Sequence, residues 1–461
     1  MFAKEDLQKV AQELSDVAPD FFDIFVEERS NKSLVLESRK LERPSVGSVF
    51  GASLRVIING ATYFSVVDNP TLDGLINAAR ELKSAVKHTA AEPGKVFPLK
   101  LVEPPLKKNP WIPWQELGEV ADYLKAADEC ARSYDPKVVQ VSSSVSQEVS
   151  NVQILNSLGN FAEEQRSRTR AFCLAYASDG TAVEVGSANQ GKIGGLELLE
   201  RYSPEMLATS AAKVAVSKLS AVSAPSGEFP VILGPGFGGV IFHEAIGHSL
   251  EADGIRKQVS VMRGKLGERL ASSKVTLIDS GIVPGEWGSN AFDDEGFPNQ
   301  ETILIKEGIL VSYMSDYLEH LLTGFPHTSN GRRESYEYIP YPRMRNTFIK
   351  PGNDTFEDML TSIKKGLLAL KFGGGQVDPV TGNFIFGVTE GYLIEDGKVT
   401  SPIKDVSMVG NGLNILENIE AVSGEEDMDF MPGMCGKEGQ SVPAGIGEPY
   451  VMVSRILIGG E

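Results

Sequence analysis

Two of the chain's five histidines bracket a glutamate within one short run, His243-Glu244-Ala245-Ile246-Gly247-His248. Two imidazoles and a carboxylate are the material for a metal-activated water. The ring nitrogens hold a divalent ion, and the carboxylate takes the proton. The spacing differs from the common H-E-x-x-H pattern, in which histidines at i and i+4 lie about 40° apart around a helix. At i and i+5 they lie about 140° apart on a regular helix, too far to share one ion. The helix must therefore expand locally or end. Gly247 permits either, and a single π turn would restore the register. We expect a distorted helix here. The rival reading places the histidines on different faces by chance, and the spacing alone leaves both open.

Cys435 lies in Met434-Cys435-Gly436-Lys437-Glu438-Gly439-Gln440. A thiolate with two imidazoles makes a three-ligand site with a fourth position free for water. The competing fate is a buried free cysteine. The flanking glycines, and Lys437 to favour the thiolate, point to an exposed, reactive position. Cys130 and Cys173 read as core. Arg332 and Arg333, in Asn330-Gly331-Arg332-Arg333-Glu334-Ser335-Tyr336, are either a solvated salt-bridged face or a clamp for a carboxylate or oxyanion. Glu251 and Asp253 either orient an imidazole or close a helix end. His320 and His327 read as structural. His88 reads as exposed beyond a surface helix.

Gly234-Pro235-Gly236-Phe237-Gly238-Gly239 fits G-x-G-x-x-G after a strand, with Asp253 about 20 residues on, as in dinucleotide sites. However, Asp253 falls at a helix end rather than a strand end, and no βαβ repeats follow. The preferred role for these glycines is close approach of a backbone or helix.

Stepping outward, the pattern predicts an α+β protein of largely antiparallel sheets. Residues 1–222 read as an N-terminal domain of two similar helix–strands–helix units, about 1–90 and 110–222. The first has helices near 4–18 and 72–86 around the runs FDIFVEER, SLVLESRKLE, GASLRVIIN and ATYFSVV. The second has helices near 114–133 and 204–220 around VVQVSSSVSQ, NVQILNS, FAEEQRS, TRAFCLAYA and TAVEVGS. Period-2 alternation with Asn59-Gly60 and Asp179-Gly180 turns marks hairpins. After the small-residue linker SAVSAPSGEFP, residues 229–461 form a β-rich domain. It carries the motif helix, about 237–252, which Gly254 caps, and helices near 315–322 and 355–370.

A net charge of −18 over 461 residues opposes binding to nucleic-acid backbone or an anionic membrane. No run approaches the ~20 apolar residues of a membrane span, and the first helix lacks a signal-peptide core. The three scattered cysteines suit a reducing compartment. The expectation is a cytoplasmic protein.

The ordered motifs HEAIGHSLEADG, NGRRESY, PRMRNTFIKPG, FGGGQVDPVTGNFIFGVTEGYLIEDGKV and MCGKEGQSVPAGIG resemble the TldD/PmbA family, metallopeptidases also labelled modulators of DNA gyrase. The resemblance covers nearly all of 229–461, and it favours the catalytic type, which keeps H-E-x-x-x-H and the late cysteine. It implies zinc held by His243, His248 and Cys435, with Glu244 as general base. It also implies a homodimer or a heterodimer with a PmbA/TldE-type paralogue, acting on small or unfolded polypeptides reached through a restricted opening. Substrate could bind extended along a strand edge. The alternative is a non-catalytic peptide-binding or assembly subunit.

Overall fold

The computed structural model describes residues 1–86, 100–105 and 111–460; His88 lies outside them. The chain is a mixed α+β protein in which antiparallel strands predominate.

The N-terminal sheet runs, in spatial order, Ala61–Asp68, Ser45–Ile58, Phe21–Glu37, Val138–Asn156 and Asn160–Ser178, with Val183–Ile193 beside the last. Helices Lys4–Ser15 and Leu72–Val86 cover one end, and Leu117–Tyr134 and Pro204–Lys218 cover the other. Asn59 and Gly60, both at positive φ (50° and 76°), turn Ile58 onto Ala61. Such a turn matches the twist of the flanking strands.

Several runs that read as separate strands are single long ones. FDIFVEER and SLVLESRKLE belong to one strand as far as Glu37, which pairs with Val138–Asn156 from Asp23↔Asn156 to Glu37↔Ser142. The reason is that each long strand serves two cores. Phe22, Ile24 and Val26 pack beneath the first helix pair, and Leu34 and Leu36 beneath the second. Between them Glu28, Ser30 and Asn31 are exposed. At about 1.5–3 kcal/mol per buried large apolar side chain, the two ends hold the polar middle extended.

In the C-terminal half, Gly227–Leu233 lies between Lys365–Asp378, parallel, and Val451–Gly460, antiparallel. The ladder continues through Val406–Asn411 to Asn383–Glu395, which pairs back onto Lys365–Asp378 and closes the sheet on itself. A second sheet runs Ile309–Leu310, Glu301–Lys306, Leu277–Ser280, Asn346–Ile349, Gln440–Glu448 and Asp429–Lys437. The motif segment packs between the two. Ile241, Phe242, Ala245, Ile246 and Leu250 share a core with Val231, Leu233, Met344, Ile349 and Val442.

Two expectations are corrected, and the preferred reading of the glycine loop holds. The helix expected over 355–370 ends at Ser362, and the apolar run after Gly366 is strand. Leu367, Leu368 and Ala369 are all buried; a fully buried strand and a buried helix look alike in sequence. Gly254 is no helix cap but lies inside a short helix, Ala252–Arg256. The glycine loop opens no βαβ unit. Gly238 and Gly239 let strand Gln440–Glu448 pass closely: a Cβ on Gly238 would lie 2.0 Å from Glu448 Oε1, and one on Gly239 3.0 Å from the Gly447 carbonyl.

Candidate metal centre

The motif segment changes helical type three times. It is 3₁₀ over Phe237–Gly239, α over Val240–Phe242, π over His243–Gly247 and 3₁₀ over His248–Leu250. The His248 N–H donates to the His243 carbonyl, the i+5 bond of a π turn. The extra residue brings both imidazoles to one side, with ring centroids 5.5 Å apart and planes at 88°. The expected distortion is therefore present, but Gly247 contributes to it differently than anticipated. Its φ and ψ of −56° and −53° are ordinary helical values. What requires glycine is space, because a Cβ there would sit 2.1 Å from Met344 Sδ.

Cys435 comes from the edge strand Asp429–Lys437, with Sγ 3.6 Å from His248 Nε2. Ligand atoms of His243, His248 and Cys435 all lie within 4.8 Å of one another. Tetrahedral zinc, with Zn–S about 2.3 Å and Zn–N about 2.0–2.1 Å, separates a sulfur and a nitrogen ligand by about 3.5 Å. Among the described residues, the buried Nδ1 of His243 also has no hydrogen-bond partner. The donor set and its spacing fit a zinc-like ion. Glu244 stands at the open side, its side chain 35% exposed and its Oε2 3.9 Å from His248 Nε2.

The surroundings tune these groups. Burial opposes ionisation of the Cys435 thiol, yet the His248 and His243 imidazoles outweigh it and hold the thiol well below its usual range. Burial alone would lower His248, but Glu251 and Cys435 together raise it well above the usual imidazole value. Both shifts describe one thiolate–imidazolium pair, whose proton a metal ion would displace. Glu251 Oε2 lies 3.2 Å from His248 Nδ1 and accepts from Lys437 Nζ at 2.9 Å; Lys437 also donates to Asp253 Oδ1 at 2.6 Å. Lys437 therefore steadies the carboxylate that orients His248 rather than the thiolate, correcting the first expectation. Asp253, read above as a ribose-binding acid in the dinucleotide alternative, is committed to Lys437 and Lys257. Cys435 is fully buried rather than exposed.

The two arginines part company. Arg332 is buried beside the centre and donates to the Met344 carbonyl at 2.6 Å. Burial holds its guanidinium down, to about 9; Asp294 pulls it up, and Arg168 and Arg343 push it down. Arg333 turns away. It donates to Asp23 Oδ1 at 2.7 Å and to Ser53 Oγ at 3.1 Å, and it stacks on the Phe25 ring at 4.6 Å. It is a tie to the N-terminal sheet, not a substrate clamp, because a buried guanidinium needs carboxylate partners and Asp23 supplies one. Arg343, unassigned from the sequence, donates to the Cys435 carbonyl. Its signal was a second basic pair, Arg343 and Arg345, in an acidic chain. The edge carrying Cys435 is also closed to an added strand. The carbonyls of Pro432 and Gly433 accept from Asn189 Nδ2 (3.2 Å) and Trp287 Nε1 (3.0 Å), and that of Cys435 from Arg343.

A distorted helix bearing two histidines and a glutamate thus meets a cysteine from a neighbouring strand, a group that could hold a metal ion. Residues 22–86, 115–219 and 226–460 match, in order, domain 1, the central domain and the C-terminal domain of the PmbA/TldA metallopeptidases. The chain belongs to this family. It is 36% identical to a Haemophilus influenzae metalloprotease TldD homolog, over 96% of this chain and 93% of that one. Its fold is similar to a Thermotoga maritima protein described as a modulator of a DNA gyrase (TM-score 0.82, 22% identity, 99% and 100% of the two chains). It is also similar to TldE from Thermococcus kodakarensis (TM-score 0.78, 20% identity, 99% and 100%).

Proposed function

We propose that this chain is a zinc-dependent peptidase that hydrolyses small or unfolded polypeptides, with Glu244 as general base. The observation that carries the reading is the π turn, which aligns His243 and His248 with Cys435 and leaves Glu244 at the open side. His243, His248 and Cys435 would hold the ion. Soft thiolate with imidazole favours zinc over the oxygen-seeking cations. When bound, zinc supplies Lewis acidity, bringing a water's pKa toward ~7 and polarising the scissile carbonyl.

The remaining work falls to side chains. Glu244 takes the water's proton and returns it to the leaving amine. Glu251 accepts from His248 Nδ1–H, which leaves Nε2 facing Cys435. Lys437 donates to Glu251 Oε2 and holds that carboxylate in place. Arg332, positively charged beside the centre, favours the oxyanion of the tetrahedral stage.

We also propose two domains, 1–222 and 229–461, the first built of two similar units. The N-terminal sheet draws only on strands up to Ile193, which supports that division. A dimer, with a second copy or a PmbA/TldE-type paralogue, and a cytoplasmic setting complete the reading. The three unpaired cysteines suit a reducing compartment.

The test is metal content per chain of wild type and His243→Ala, prepared identically under reducing conditions with zinc. It is paired with cleavage of an unfolded polypeptide. The reading expects zinc and cleavage in wild type and loss of both in the variant. Zinc-loaded wild type that binds the polypeptide without cleaving it would instead support the non-catalytic subunit.

A further inference from the structure

A second group of potential ligands lies where the N-terminal sheet meets the C-terminal half. Asp293 and Glu295 come from one tight loop. Asp293 Oδ1 accepts from the N–H groups of Glu295 (3.1 Å) and Phe297 (2.9 Å), and Gly296 turns at φ +85° against Ile154. Asn156 Nδ2 donates to the Glu295 carbonyl at 2.9 Å, fastening the loop to the N-terminal sheet. His327, from a separate loop, packs against the Phe297 ring at 4.3 Å and the Tyr317 ring at 5.7 Å.

The charges do not balance. Arg55 serves Glu295 Oε1 and Asp23, Arg333 serves Asp23, and Arg166 serves Asp294. Glu295 Oε2 accepts from the Tyr317 N–H at 2.8 Å. Asp293 is left 2% exposed, and among the described residues neither its Oδ2 nor His327 Nε2 has a hydrogen-bond partner. These two atoms face each other. His327 Nε2 is 3.7 Å from Asp293 Oδ2 and 3.7 Å from Glu295 Oε2. That is too long for hydrogen bonds. It is close to the roughly 3.4 Å between nitrogen and oxygen ligands on a tetrahedral first-row ion.

We propose that Asp293, Glu295 and His327 form a second divalent-cation site, distinct from the His243–His248–Cys435 centre and structural in role. One imidazole and two carboxylates suit a first-row ion such as Zn²⁺ or Mn²⁺. The ion satisfies the two polar atoms of this group left unpaired among the described residues, Asp293 Oδ2 and His327 Nε2, and compensates the Asp293 charge that no arginine serves. It clasps the Asp293–Phe297 loop and the His327 loop together, against the sheet that supplies Arg55 and Asn156. The His327 side chain, 15% exposed, lies at the outer side of the group, where an ion can enter.

The test uses the full chain, stripped of metal and reloaded with Zn²⁺ or Mn²⁺ under reducing conditions. Elemental analysis should find two ions in wild type, one in His243→Ala, one in the near-isosteric Asp293→Asn, and none in the double variant. Metal content of Asp293→Asn equal to that of wild type overturns the proposal. So does a wild type whose only ion is lost in His243→Ala. If His243→Ala changes nothing while Asp293→Asn loses an ion, the clasp stands and the catalytic reading falls. Anomalous scattering from crystals of reloaded wild type needs no variant. A peak among Asp293, Glu295 and His327 supports the site, and a peak confined to the His243 centre refutes it.

Discussion

The His243–His248–Cys435 centre and the Asp293–Glu295–His327 group are two answers to one physical problem, imidazole nitrogens brought beside anionic ligands inside a protein. They are built differently. The first combines a thiolate with two imidazoles around a π turn and leaves a partly exposed glutamate at its open side. The second combines hard carboxylates with one imidazole, and aromatic rings and a buried arginine enclose it. Donor type and openness are the grounds on which we propose one for chemistry and the other for architecture.

The contrast breaks most sharply at the thiolate. Cys435→Ser removes the soft donor, and zinc affinity at that centre should fall by more than the roughly 10–100-fold typical of losing a partner behind a ligand. Zinc titration against a competing chelator reads this, and unchanged affinity would take Cys435 out of the ligand set. Glu251→Gln should then cost about 10–100-fold in zinc affinity or cleavage rate, because His248 loses the carboxylate that orients it. The Asp293 group should keep its ion in both variants.

Smaller effects concern packing and charge. Gly247→Ala forces a methyl against the fully buried Met344, an overpacking worth about 1–3 kcal/mol of stability by denaturant unfolding. A neutral result would mean that Met344 repacks freely. In metal-free protein, burial and then the Glu295 charge hold the Asp293 carboxyl well above its usual range. The unfolded chain releases that proton near ~3.9 while the folded chain keeps it to higher pH, so this group's contribution to stability falls as pH rises through that window. Metal-free Asp293→Asn should therefore melt above metal-free wild type at neutral pH, with the gap closing toward pH ~4. An equal or lower melting temperature at neutral pH would show that the buried carboxylate already has a partner.

The same contrast explains what could be read from the chain. His243, Glu244 and His248 sit within one helical segment, so their spacing named the candidate donors and the distortion a shared ion would need, while leaving a chance placement open until the other motifs were read. Cys435 stood out as a cysteine among glycines, but its burial did not, since Arg343, which donates to its carbonyl, lies 92 residues upstream. Arg333 was invisible as a tie because its partner Asp23 is 310 residues away. Asp293, Glu295 and His327 carry no motif: His327 read as structural, and it meets the two acids only once the loops fold together. Helices Leu72–Val86 and Pro204–Lys218 were legible, the first at its bounds and the second within two residues of its end. The long strands were not, because their polar middles look like turns until the second core is known.

The central claim is tested most directly on one pair of samples, zinc-reloaded wild type and Glu244→Gln. Cleavage of an unfolded polypeptide and zinc content are measured on the same preparations. The account predicts equal zinc in both, and a cleavage rate lower by about 10²–10⁴-fold or more in Glu244→Gln, the range that general-base catalysis supplies. Cleavage by Glu244→Gln at the wild-type rate, with zinc in place, would contradict it.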